Sequence, residues 1–138
     1  MQKVILDTNI VVSGLIQRSY PHLILMSLFL ERRFELCVSN VLMSEYHEVL
    51  NRPKFSKFPD FKLKVDSILL DIELHASLFY PKETINMIKD ADDNMLLELA
   101  LECSADFLVT GNTNDFTIAE FNKTRIVSPR DYWEFYKP

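Results

Sequence analysis

The chain's 138 residues are 48% hydrophobic, 12% aromatic and 25% charged, the usage of a protein that buries one apolar core; general disorder is excluded, and a single domain over 1–138 is expected. Two glycines, Gly14 and Gly111, are too few for a glycine-rich phosphate loop, and Cys37 and Cys103 lie too far apart for a C-x-x-C zinc or redox motif, so both read as small buried residues. A formal charge of -5, from 20 acidic against 15 basic residues, argues against a protein that coats nucleic acid by charge alone.

The first predicted element is a short strand over residues 1–6 (MQKVIL), ended by Asp7-Thr8-Asn9, residue types that favour turns and helix starts. That stretch is too short for the apolar core of a secretory signal, and the longest apolar run, residues 23–30, falls far below the roughly twenty residues that span a bilayer. A cytoplasmic soluble protein with no membrane partner is the expectation. A heavily buried helix is predicted over 21–33, opened by a proline suited to a first turn. A strand over 34–38 (FELCV) leads to a helix capped by Ser39-Asn40 that must stop near Asn51, ahead of Arg52-Pro53. The longest predicted helix covers 59–77, and another covers 93–103, capped by Asp92 or Asp93. Strands over 107–110 (FLVT) and 125–127 (RIV) follow, with a terminal turn over 132–136. Strand and helix alternate, the pattern of an α/β three-layer sandwich around a mainly parallel central sheet, in which ligands bind beyond the carboxyl ends of the strands.

Acidic residues fall at that edge. Asp7 directly follows the first strand, Glu45 lies one turn into the helix after the second, Asp93 starts the helix before the 107–110 strand, and Asp115 lies in the loop that leaves it. Two carboxylates about 5 Å apart repel by roughly 3 kcal/mol at an effective dielectric near 20. A divalent cation removes that cost, and oxygen ligands without His or Cys select Mg²⁺ or Mn²⁺ over zinc. Singly, each residue also has a structural reading: a turn at Asp7, a helix cap at Asp92-Asp93, surface charges at Glu45 and Asp115. Together, at these positions, they favour a site.

The residues V-I-L-D-T-N (4–9), S-E-Y (44–46), D-D-N-M-L-L-E-L-A (92–100) and L-V-T-G-N-T-N-D-F (108–116), in this order, strongly resemble the PIN domain, a small Rossmann-like nuclease fold that includes the VapC-like toxins of toxin-antitoxin pairs. The resemblance implies that Asp7, Glu45 and Asp93 are the three core acids and Asp115 a more variable fourth, all catalytic and metal-binding. Asp92 is the rival to Asp93, and the spacing to Leu96, Leu97 and Ala100 favours Asp93. Asn9 and Thr110 would support the acids, and Asn112 stands where many relatives have aspartate. Implied with them are Mg²⁺- or Mn²⁺-dependent hydrolysis of single-stranded or structured RNA by an activated water, a cognate antitoxin as partner, and a homodimer. An alternative from another class is a catalytically silent PIN-like module that binds RNA or a protein; Asn112 is the hint for it. A haloacid-dehalogenase-type phosphatase is disfavoured because Asn9 occupies the place of its second aspartate, and a phosphotransfer receiver because its acceptor aspartate and lysine are lacking.

Between Arg52 and Lys64 the bases Arg52, Lys54, Lys57, Lys62 and Lys64 face one acid, Asp60, whereas residues 90–106 hold six acids and no base. Phe55, Phe58 and Phe61 interleave with the bases, so Arg52, Lys54 and Lys57 are candidates for substrate binding, with bases stacking on the rings. The competing reading, in which the rings anchor a helix and the lysines face water, carries more weight. His22, His47 and His75 show no ligand spacing.

Overall fold

The computed structural model describes residues 1–113, 116 and 118–138; Asp115, the expected fourth acid, lies outside them. Strand β1 (Lys3–Leu6) is followed by helix α1 (Thr8–Ile16), α2 (Tyr20–Leu23) and a π-helical continuation (Ile24–Phe29). Then come β2 (Glu35–Val38), α3 (Asn40–Leu50), a 3₁₀ turn (Pro53–Phe55), α4 (Phe61–His75) and β3 (Ser77–Leu78). The chain continues through α5 (Ala91–Cys103), β4 (Phe107–Val109), β5 (Glu120–Phe121) and β6 (Thr124–Val127), and ends in α6 (Pro129–Asp131) with a π turn (Tyr132–Tyr136). The expected α/β architecture is present: a central sheet in the order β3-β2-β1-β4-β6-β5, parallel except for the β5–β6 pair and flanked by helices. Val4, Ile5, Leu6, Leu108 and Val109 are fully buried, the near-continuous apolar runs that a parallel sheet covered on both faces requires.

The strand order decides where a site can form. From β1 the chain crosses to β2 and β3 on one side, then returns to place β4 on the other. Between β1 and β4 the direction of strand addition reverses, and the carboxyl ends of these two strands flank the crevice.

Several boundaries depart from the sequence-based expectation for identifiable reasons. Helix α1 was not expected, since Ile10, Val11, Val12 and Ile16 are β-branched and lower helix propensity; burial of Ile10, Val11 and Leu15 against the sheet overrides it. The helix expected over 21–33 widens into π-helix after Leu23. The helix expected over 59–77 starts at Phe61, behind Asp60 in the left-handed region (φ 57°), and stops at His75, because Ser77 and Leu78 pair with Cys37 and Val38. The helix expected from 93 begins at Ala91, and its cap is Asp90 rather than Asp92 or Asp93. The unexpected β5 pairs with β6 through a two-residue turn in which Asn122 takes φ 52°. Cys37 and Cys103 are free and buried, as expected. Among the described residues no helix is long and apolar enough to cross a membrane.

Gly14 marks a close approach between α1 and the α2 segment. A Cβ there would lie 2.4 Å from Leu25 Cδ1 and 3.0 Å from the Pro21 carbonyl oxygen. Leu25 is fully buried and cannot swing aside. Helix propensity would repay Gly14→Ala by about 1 kcal/mol, whereas overpacking costs typically 1–3. Gly14→Ala is therefore expected to lower stability, by up to about 2 kcal/mol net, in urea denaturation; a gain in stability would show that the α1–α2 contact yields easily.

Candidate functional site

Asp7 is the pivot of the crevice. Its backbone N–H donates to the Val109 carbonyl at 2.9 Å, so the β1–β4 ladder extends one residue beyond β1. Its extended conformation (φ -60°, ψ 150°) makes it the N-cap of α1, with Oδ1 accepting from the Thr8 N–H at 2.7 Å. Oδ2 accepts from the Thr110 hydroxyl, also at 2.7 Å. The same hydroxyl accepts from the Asn112 N–H at 3.1 Å, and the Asn9 side chain accepts from the Gly111 N–H at 3.4 Å. Thr110 is fully buried and Asp7 is 8% exposed. Asn9 and Thr110 thus join the loop after β4 to the start of α1.

Glu45 arrives from α3. Ser39 caps that helix by accepting from the Leu42 N–H at 3.1 Å, and the buried Tyr46 hydroxyl donates to the Leu6 carbonyl at 2.5 Å, fixing α3 over the end of β1. The half-buried Glu45 carboxylate accepts a hydrogen bond from the Thr8 hydroxyl. Thr8 is a positioning residue that sequence reasoning missed; its signal was the hydroxyl directly after a helix-capping aspartate.

The third wall is the start of α5. Asp90 accepts from the Asp92 N–H at 2.9 Å, leaving Asp93 in the first turn, 7% exposed, while Asp92 stays exposed. The positive end of the helix dipole favours these acids. Asn94 holds the preceding loop, accepting from the Ile88 N–H at 2.8 Å and donating to its carbonyl at 2.6 Å. Glu98 accepts from the Ile85 N–H at 3.0 Å.

Asp7, Glu45, Asp90, Asp92, Asp93 and Asn112 all line one cleft of about 360 Å³, with Thr8, Asn9 and Ser13 beside them. Lys54 and Phe55 form part of its wall, the ammonium 5.1 Å from the ring centroid. Arg52 and Lys57 do not line it: Arg52 pairs with Glu48 at 2.8 Å, and Lys57 lies over Phe58. Phe58 and Phe55 lean on the buried Phe61, with centroids 6.2 and 5.4 Å away, so the rings serve mainly as anchors.

Burial raises the Asp7 carboxyl above its ordinary value; hydrogen bonds from Thr110 and Thr8 oppose this, and the charges of Asp92 and Asp90 add to it. Burial likewise raises Glu45, against the Thr8 hydrogen bond and with help from Asp92, Asp7 and Glu48. Acids outnumber bases in the cleft, where Lys54 is the one base among the described lining residues, and the acids offer oxygen ligands with no His or Cys among the described lining residues. That chemistry fits a hard divalent cation, which Asp7, Glu45 and Asp93 could hold. They line the cleft rather than close it into a cage: among the described residues no three His, Cys, Asp or Glu side chains gather into a metal-ligating cluster.

The raised Asp7 carboxyl has a stability consequence. A carboxyl raised on folding means that the folded state binds the proton more tightly, so its contribution is fully present below the unfolded value near 3.8 and is lost as pH rises through the folded value. Without divalent cations, the stability of the wild type relative to Asp7→Asn should therefore fall as pH rises through that window and level off above it. Urea denaturation of both proteins from acid to neutral pH checks this, and parallel curves would contradict it.

A PIN domain family model matches residues 3–114. An uncharacterized protein of Methanocaldococcus jannaschii is 24% identical over 144 residues, an alignment covering 98% of this chain and 92% of that protein. With the family match spanning most of the chain and every described wall of the cleft, the chain belongs to the PIN domain family, a nuclease-type fold whose members are typically metal-dependent.

Proposed function

We propose that this protein is a divalent-metal-dependent endoribonuclease that hydrolyses single-stranded RNA, with Asp7, Glu45 and Asp93 as its core acids and Asp115 as a fourth. The observation that carries the reading is the meeting of three carboxylates from α1's cap, α3 and α5 in one cleft at the sheet's switch point. Mg²⁺ or Mn²⁺, when bound, would lower the pKa of an attacking water and stabilise charge on the phosphate and the departing oxygen. The chain's own residues do the rest. Thr110 and the Thr8 N–H fix both Asp7 oxygens, Thr8 fixes Glu45, and the Asp90 cap keeps the first turn of α5 in register. Lys54 supplies positive charge for a backbone phosphate, and Phe55 a partly exposed ring edge for a base. Arg52 and Lys57 would meet the strand only outside the cleft. The VapC-like resemblance extends the proposal to a toxin held by a cognate antitoxin, working in the cytoplasm.

Asp7→Asn and Asp93→Asn are each expected to lower cleavage of a single-stranded RNA in Mn²⁺ by at least about a hundredfold while the protein stays folded. Wild-type rates in either variant would remove that residue from the chemistry. Mn²⁺ should also raise the melting temperature by several degrees, since a cation that binds only the folded state at a hundredfold excess over Kd contributes about 2.7 kcal/mol. An equal response to NaCl at matched ionic strength would count against a metal site. Lys54→Ala should weaken RNA binding more at low salt than at high salt, because counterion release carries the effect; equal loss at both would place Lys54 outside the RNA path.

A further inference from the structure

A second hollow opens one residue away from the acidic cleft. Asn112 lines the cleft, and Thr113, its neighbour in the loop after β4, lines a groove of about 510 Å³ between β6 and the terminal turn. Val127, which pairs with Val109 across the sheet, also lines the groove, so it begins at the carboxyl edge where the cleft lies. Its far wall is aromatic. Tyr136 packs on Phe107 with centroids 5.2 Å apart, and Arg125 holds it from the other side, its guanidinium 5.1 Å from the ring centroid and Nη1 donating to the hydroxyl at 3.0 Å. Phe135 meets that fixed ring edge to face at 6.4 Å and is 70% exposed. A ring so exposed beside a fixed one offers a surface on which a base can stack.

Charge decides which part of a nucleic acid suits the groove. Two carboxylates, Glu120 and Asp131, stand there against one described base, Arg125, which Glu120 already meets at 3.8 Å. A phosphate would be repelled, whereas a nucleobase is neutral, stacks on rings and presents N–H donors at its edge. Asp131 is the carboxylate in position to accept them. It lies four residues before Phe135 on the terminal turn, lines the same groove, is exposed, and is held in place by its own N–H, which donates to the Ser128 hydroxyl at 3.1 Å. Guanine alone among the four bases carries two adjacent donors, N1–H and N2–H, that match both oxygens of a carboxylate. Adenine and cytosine set an acceptor nitrogen beside their amine, and uracil sets its one N–H between two carbonyls. We propose that this groove is a guanine subsite for the RNA strand that occupies the cleft, with the base stacked on Phe135 and Asp131 accepting from N1–H and N2–H. The assignment rests on the cleft being the place where RNA is cut, and it makes Asp131 and Phe135 specificity residues that take no part in the hydrolysis.

The test is fluorescence anisotropy of labelled single-stranded octaribonucleotides with the full chain in Ca²⁺, gel electrophoresis confirming that the strands stay intact. One strand carries a single guanosine in a run of uridines, and the others carry adenosine, cytidine, uridine or inosine at that place. The wild type is expected to bind the guanosine strand about tenfold or more tightly than the adenosine, cytidine and uridine strands. Inosine, which lacks the N2 amine, should lose most of that advantage. In Asp131→Asn the guanosine and inosine strands should bind within about twofold of each other, because the group that tells them apart is gone. Phe135→Ala should weaken the guanosine strand by about tenfold through lost stacking. Both side chains are exposed, so both variants should fold normally by circular dichroism. A wild type that binds no strand, or all strands equally, would overturn the proposal without recourse to a variant. A guanine preference that survives both substitutions would overturn it by placing the selection elsewhere. Cleavage in Mn²⁺ separates this proposal from the nuclease reading: strands cut without regard to guanine would overturn the subsite and leave the nuclease standing, whereas guanine-selective binding without cleavage would support the subsite and count against the nuclease.

Discussion

The structure turns on a buried carboxylate at the junction of two strands. Asp7 ends β1, caps α1 through Oδ1 and takes the Thr110 hydroxyl on Oδ2, while its own N–H continues the ladder to Val109. One residue thereby joins the strands on either side of the sheet's reversal point. Accepting on both side-chain oxygens at once suits a carboxylate, which also brings a negative charge into a place where water is largely excluded. Burial accordingly raises its proton affinity, against the hydrogen bonds from Thr110 and Thr8.

The other walls repeat this arrangement with less burial. Glu45 reaches the cleft because Tyr46, the next residue, is pinned by its hydroxyl to the Leu6 carbonyl. Asp93 is placed by its neighbours on both sides, the Asp90 cap before it and the Asn94 clamp on Ile88 after it. Each acid is thus oriented by an adjacent residue with a purely structural task. Because α1, α3 and α5 meet the same sheet edge, these local devices converge on one cleft.

Helix α4 answers a different constraint. Its core face fixes it against the domain, and its far face is left apolar with charges sorted by sign along its length. An ordinary surface helix would spend those positions on mixed polar residues. Between this helix and the cleft lies the Pro53–Phe55 turn, so the basic segment is anchored through Phe61 at one end and presents Lys54 to the acids at the other.

Much of this was legible in the residues themselves. Alternating β-type and helical periodicity, fully apolar strands such as Val4-Ile5-Leu6, the Ser39 cap and the stop before Pro53 are local properties, so they carried the α/β class and the order of most elements. The family motifs pointed to Asp7, Glu45 and Asp93 because the spacing of a residue from a strand end survives in sequence. What local rules could not supply was decided by contacts between distant segments. Helix α1 forms against its β-branched composition because the sheet buries Ile10 and Val11. Ser77-Leu78 leaves the α4 pattern because Cys37 and Val38 offer it a ladder. Asp90 rather than Asp92 caps α5, since Asn94 fixes where the loop meets the helix. Thr8, Lys54 and Phe55 belong to the cleft, and Arg52 does not, because side-chain direction depends on how helices cross the sheet and on which charge each base meets first. Periodicity records which face of an element is buried; only the assembled chain determines what each exposed group confronts.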